Sequence, residues 1–68
     1  MPSPASFRPR LAAYQQVLRL KPADARAHLG LGAVYFLLGD KSAALEEHKI
    51  LQTLDQSLAK DLFRFIEH

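Results

Sequence analysis

One stretch near the middle of the chain places a glycine, a tyrosine, a turn and an alanine at spacings that few folds accommodate. The residues are Leu31-Gly32, Tyr35, Gly39-Asp40 and Ala44. Leu31 and Tyr35 share one face of a helix, because residues four apart lie one above the other. Gly39 can adopt the left-handed conformation that ends a helix, and the aspartate after it can cap the next helix. The stretch predicts two antiparallel helices in contact at the small residues Gly32 and Ala44.

This pattern resembles the tetratricopeptide repeat, whose residues run W-x₂-L-G-x₂-Y, then A-x₃-F, then P. Shifting the chain by the repeat period of about 34 residues pairs Tyr14 with His48 and Ala25 with Ala59. The resemblance extends over residues 10–66. It implies an all-α fold, an antiparallel helix-turn-helix α-solenoid fragment of four helices with one whole repeat at about 23–56.

The apolar spacing and the turn residues predict four helices, at about 7–20, 25–38, 41–54 and 56–66. Residues 1–6 are rich in proline and predict a flexible tail before a helical domain over 7–68. The second helix is apolar on nearly every side, as expected of an inner helix that is contacted on several faces. The third helix is expected to turn four polar side chains to water, namely Glu46, Glu47, Lys49 and Gln52.

The turn before the last helix departs from the repeat pattern, because Gln56 stands where proline is usual. Two structures remain open at this point. In the first, Asp55 and Ser57 cap a separate fourth helix. In the second, the third and fourth helices fuse into one helix from about Lys41 to Ile66, which carries the last segment onto a second copy as a domain swap.

Composition limits the classes of protein to which the chain can belong. Its 68 residues allow one domain with a thin core, and an apolar content of 49% excludes a disordered chain. There is no cysteine, so disulfides and cysteine metal sites are excluded. No apolar run approaches the length of a membrane span, and the first residues lack a signal-peptide pattern, so a cytoplasmic protein is expected.

Catalysis and metal binding are not expected from the polar residues. The serines and the threonine have no base with an orienting partner, and no glycine-rich phosphate loop is present. We therefore expect neither an enzyme nor a cofactor. His28 and His48 stand at positions that are usually aromatic in the repeat, and no acidic residue or cysteine occurs at a ligand spacing beside them. Both histidines are interpreted as core residues.

The resemblance also implies a binding surface. Tetratricopeptide repeats bind extended peptides or helices on a concave face lined by the first helix of each pair. The matching residues here are Arg26, Leu29, Ala33, Phe36, Lys60, Phe63 and Arg64. The positions of the family's carboxylate clamp hold Leu29, Gly30 and Ala33, so that specificity is absent. What is left is an apolar floor with a basic rim, suited to an amphipathic segment with acidic residues. The alternative is that Leu29 and Phe36 are ordinary core.

A second expected surface is an apolar edge on the last helix, with no later helix to cover it. Its residues are Leu58, Leu62, Phe65 and Ile66. An apolar edge of this kind is expected to be covered either by further repeats or by another copy of the chain in a homo-oligomer, in particular a homodimer. Residues 1–34 hold five basic residues against one acidic residue, whereas residues 35–68 hold four against six. This asymmetry is compatible with head-to-tail contacts between copies. The alternative, which is favoured, is that the two halves are simply solvated faces.

The alternative from another functional class is a small helical domain that binds nucleic acid. Basic residues flank Tyr14 in the first helix, and basic residues next to an aromatic ring are typical of such domains. The acidic residues elsewhere balance this charge, so a protein or peptide is the favoured partner. A strong dependence of binding on salt would distinguish nucleic-acid binding.

Overall fold

The computed structural model describes residues 8–67, and four α-helices account for most of them. They are α1 (Arg8–Leu20), α2 (Ala25–Leu37), α3 (Lys41–Leu54) and α4 (Gln56–Glu67). No strand occurs in this range. The all-α prediction is confirmed, and every described helix boundary lies within one residue of its expected position. The tail expected over residues 1–6 lies outside the described residues.

An aspartate begins each helix after the first. The carboxylates of Asp24, Asp40 and Asp55 accept hydrogen bonds of 3.0 to 3.2 Å from backbone N–H groups in the first turns of α2, α3 and α4. Such caps satisfy donors that have no partner inside the helix. At Asp55 the backbone is extended, with φ −158° and ψ 101°. The third and fourth helices are therefore separate, and the fused alternative is not adopted.

The turn between α2 and α3 has the left-handed conformation that was predicted at Gly39. Gly39 has a φ of +88°, in the left-handed region that favours glycine. Its N–H donates to the carbonyl of Phe36 at 3.0 Å, and the N–H of Asp40 donates to that of Tyr35 at 2.9 Å. These two bonds form a Schellman motif, which ends α2 and turns the chain back into α3.

α2 is the central helix of the fold and contacts α1, α3 and α4. Its buried residues Ala27, Leu31 and Val34 lie on more than one side, which explains why the helix lacks a polar face. α4 packs against both α2 and α3, so consecutive helices form layers. The main buried cluster joins α3 and α4 and consists of Ala44, Leu51, Ala59, Leu62 and Ile66.

Gly32 makes its closest approach to a different residue from the one expected. A Cβ atom at this position would lie 2.6 Å from Leu62 Cδ2 and 3.2 Å from Glu47 Cβ. Ala44, the expected partner, is fully buried but is not among these nearest neighbours. The absence of a side chain at Gly32 therefore makes room chiefly for a leucine of α4, and it fixes how closely α4 approaches α2.

Candidate functional site

The predicted binding residues fall into two groups. Leu29 and Phe36 are half-buried and pack against the core cluster, so the structure favours the ordinary-core interpretation for both side chains. Ala33 is also half-buried. The exposed members of the set are Arg26, Lys60, Phe63 and Arg64.

Three of the exposed residues line an open groove between α3 and α4. Lys60, Phe63 and Arg64 form its α4 wall, and His48 and Gln52 form its α3 wall. The groove encloses about 380 Å³, and we call it the α3–α4 groove. A smaller depression of about 140 Å³ continues it past Gln56 and Ala59, towards the turn between the two helices. Sequence reasoning did not assign His48 or Gln52 to a binding surface.

An aromatic pair lies in the α3–α4 groove. The ring centroids of His48 and Phe63 are 5.3 Å apart and their planes are inclined by 40°. His48 is half-buried, and Phe63 leaves 45% of its surface exposed. An exposed aromatic ring supplies a large contact area at an interface, and this one lies beside polar and charged side chains.

Two cations border these rings. Lys60 and Arg64 are exposed and lie one turn apart on α4. Within residues 8–67, the exposed ion pairs are Lys41–Glu67 at 3.7 Å and Lys49–Glu46 at 3.8 Å. Neither pair uses a cation of the groove, and no carboxylate of the described residues comes within 4.0 Å of Lys60 or Arg64. The groove thus combines an aromatic surface with two cations that are available to an anion.

The expected apolar edge on α4 is largely covered. Leu62 is 0% exposed and Ile66 is 4% exposed, because both pack into the core between α2, α3 and α4. The expectation that these two residues lie at an open edge is therefore wrong. Leu58 is half-buried, and Phe65 is 41% exposed. The Phe65 ring meets Phe36 edge-to-face, with centroids 5.5 Å apart.

His28 is buried and paired. Its Nδ1 lies 2.7 Å from Glu47 Oε1, and its Nε2 lies 2.9 Å from the carbonyl oxygen of Pro22. The expected core role of His28 is confirmed, but the placement of Glu47 in water is wrong, because the ion pair draws this carboxylate inside. Across residues 8–67 no group of three or more histidines and carboxylates is arranged to hold a metal ion.

The surroundings of His28 favour its charged form. Burial lowers the pKa of this imidazole, but the hydrogen bonds to Glu47 and Pro22, and the negative charges of Glu47 and Asp24, raise the pKa above the ordinary 6.5. A carbonyl oxygen and an ionised carboxylate only accept hydrogen bonds. Both ring nitrogens must therefore carry hydrogen to satisfy both partners, which is the imidazolium.

Comparison with protein families matches residues 11–39 to a family described as TPR repeat. Residues 11–39 are therefore similar to a tetratricopeptide repeat. The match spans most of α1, the turn at Pro22 and all of α2. Comparison with curated proteins and with solved structures gives no significant match.

Tetratricopeptide repeats generally mediate protein–protein interaction and are typically non-catalytic. The layered contacts of α2 and α4 agree with the helical repeat architecture of the family. Over residues 8–67, no helix combines the length and the apolar content that crossing a membrane requires.

Proposed function

We propose that this chain is a scaffold or adaptor module that binds a peptide or helix of another protein on the surface formed by α2 and α4. Two kinds of observation support the proposal. The family generally acts by binding proteins. In addition, the exposed cations Arg26 and Lys60 stand at positions related by the repeat period, on two helices that contact each other. We therefore expect them to lie on the same face.

The observation that carries the proposal is the exposure of Phe63. This ring is 45% exposed and is not part of the buried core cluster. Residues that dominate binding energy are typically aromatic anchors surrounded by polar groups, and Phe63 lies between Lys60 and Arg64. Leu29 and Phe36 support this surface from below by packing against the core.

The test begins with a displayed library of random twelve-residue peptides selected on the wild-type chain. Selected peptides are resynthesised and titrated calorimetrically into the wild type and into the variants Phe63→Ala and Leu20→Ala. Leu20 is 80% exposed on α1, so it controls for the loss of an exposed apolar side chain elsewhere. We expect Phe63→Ala to weaken binding at least about fivefold, and Leu20→Ala to leave it unchanged. Equal affinity for all three proteins would refute the proposal.

The second candidate, a homodimer, now depends on fewer residues. With Leu62 and Ile66 buried, Phe65 at 41% exposure and half-buried Leu58 are what remains of the edge. Sedimentation velocity at tens of micromolar distinguishes the two candidates. A dimer that Phe65→Ser converts to monomer favours self-association, whereas a monomer at every concentration leaves the binding of another protein as the function.

A further inference from the structure

We infer that the α3–α4 groove is a specific recognition site for a short acidic segment with one aromatic residue between its acidic residues. The inference rests on the proposed function and adds a location and a ligand chemistry to it. The site is made partly by His48 and Gln52, which belong to α3 and lie outside the expected α2–α4 surface.

The size of the groove suits one side chain with the adjoining backbone. A volume of about 380 Å³ lies at the lower end of the range for ligand sites in proteins. The rings of His48 and Phe63, 5.3 Å apart, provide an apolar floor.

The charges of the groove specify acidic neighbours for that side chain. Lys60 and Arg64 are four residues apart on α4, which sets them about 6 Å apart along the helix axis and on one face. Within the described part of the chain, no carboxylate lies within 4.0 Å of either one. Two carboxylates of a partner can therefore bind there without displacing an existing ion pair.

The internal repeat indicates an aromatic occupant. Under the period of about 34 residues, His48 corresponds to Tyr14, and Arg64 corresponds to Gly30. At the contact between α1 and α2, the Tyr14 ring lies against Gly30 so closely that a methyl group at that position would overlap it. The period relates the α1–α2 contact to the α3–α4 contact, and at the first of these two contacts the chain places a phenol ring of its own. At the second contact, between α3 and α4, the smaller imidazole of His48 and the charged side chain of Arg64 occupy the corresponding positions. Both residues line the open α3–α4 groove.

The binding test uses a fluorescein-labelled peptide, Gly-Asp-Glu-Tyr-Glu-Asp-Gly, with fluorescence anisotropy at low ionic strength. Two matched peptides replace either the tyrosine with serine or all four acidic residues with their amides. We expect each replacement to weaken binding at least about fivefold. Equal binding of all three peptides would overturn the inferred chemistry. So would tighter binding of a labelled oligouridylate, which would favour the nucleic-acid alternative.

The location test changes Gln52, which is exposed and therefore tolerant of substitution. Gln52→Lys should tighten binding of the acidic peptide roughly three- to fivefold, and Gln52→Glu should weaken it by a similar factor. The same substitutions at Gln15, exposed on α1, control for net charge and should give smaller changes. If the Gln52 variants behave like the Gln15 variants, the groove is not the site.

One further variant separates this inference from the proposed function. Arg26→Glu removes a cation of α2 that does not line the groove. If Arg26→Glu abolishes peptide binding and the Gln52 substitutions leave the affinity unchanged, the groove is not the binding site, and the α2–α4 surface remains the candidate. If the Gln52 substitutions change the peptide affinity and Arg26→Glu does not, the result supports binding in the groove.

Discussion

The imidazole of His28 and the carboxylate of Glu47 form a buried ion pair, with Nδ1 and Oε1 2.7 Å apart. The second ring nitrogen donates to the carbonyl of Pro22 at 2.9 Å. One side chain of α2 thereby joins the turn that precedes the helix to the helix that follows it. The side chains of His28 and Glu47 are 10% and 11% exposed, so neither partner has ready access to water if the other is removed.

Stability should therefore depend on pH near neutrality. Burial lowers the pKa of His28, but the hydrogen bonds to Glu47 and Pro22 and the charges of Glu47 and Asp24 together raise it above its ordinary value in the folded chain. A group with a raised pKa contributes stability that is fully present below its unfolded pKa of about 6.5 and is lost as pH rises through the folded pKa. We expect the free energy of unfolding in urea to fall with rising pH in this window. His28→Gln should flatten that dependence, and His48→Gln should retain it.

Removing one partner of the pair should be costly. Glu47→Ala leaves a buried imidazolium, or forces the ring to lose its charge, and we expect a loss of about 3 kcal/mol in the free energy of unfolding. The control is Glu46→Ala, next in the chain but exposed, where we expect a change below about 0.5 kcal/mol. Urea titrations followed by circular dichroism at pH 6 measure both, and equal stability of the two variants would contradict a structural role for the pair.

A side chain at Gly32 should push α4 away from α2. In Gly32→Val the new atoms meet Leu62, which is fully buried and has no free space into which to move. We expect a loss of about 1–3 kcal/mol in the free energy of unfolding from overpacking. Leu62→Ala alone should also destabilise the chain, because it truncates a fully buried leucine. The double mutant should lose less than the sum of the two single losses, because the valine occupies space that the shorter side chain vacates. An additive double mutant would show that Gly32 and Leu62 do not compete for space.

Proline should be tolerated at position 56, where the repeat family usually has it. Gln56 is the first residue of α4, and the extended backbone of Asp55 before it is the conformation that proline requires of its predecessor. We expect Gln56→Pro to raise the free energy of unfolding by about 0.4–1 kcal/mol. Ser57→Pro is the matched control. It should destabilise the chain, because the N–H of Ser57 donates to Asp55 at 3.0 Å.

The helices were predictable from sequence because local signals set their ends. Asp40, Asp55 and Gly39 act through the backbone of their own turns, and those interactions depend little on the rest of the chain. The burial of Glu47 was not predictable in this way. Its charge favours an exposed position, and only the approach of α2 and α3 reveals His28 as its partner.

The candidate site was predictable in part for a similar reason. The repeat pattern assigned Lys60, Phe63 and Arg64 to a binding surface on α4. All three are exposed, and their role in binding stays a prediction. It assigned His48 to the core because an aromatic residue is usual there, whereas the ring is half-buried and lines a groove. The width of a groove depends on the distance between two helices. That distance cannot be read from the spacing of residues along one helix.

The contact of Tyr14 with Gly30 has a consequence for engineering. The tyrosine ring is half-buried and lies against the backbone of α2. Among the four helices, α1 contacts α2 alone. The buried core cluster lies in α3 and α4 and includes no residue of α1. Replacing Tyr14 with alanine would therefore release α1 from α2 while the other three helices keep their core, which makes this contact a place where the first helix can be detached by design.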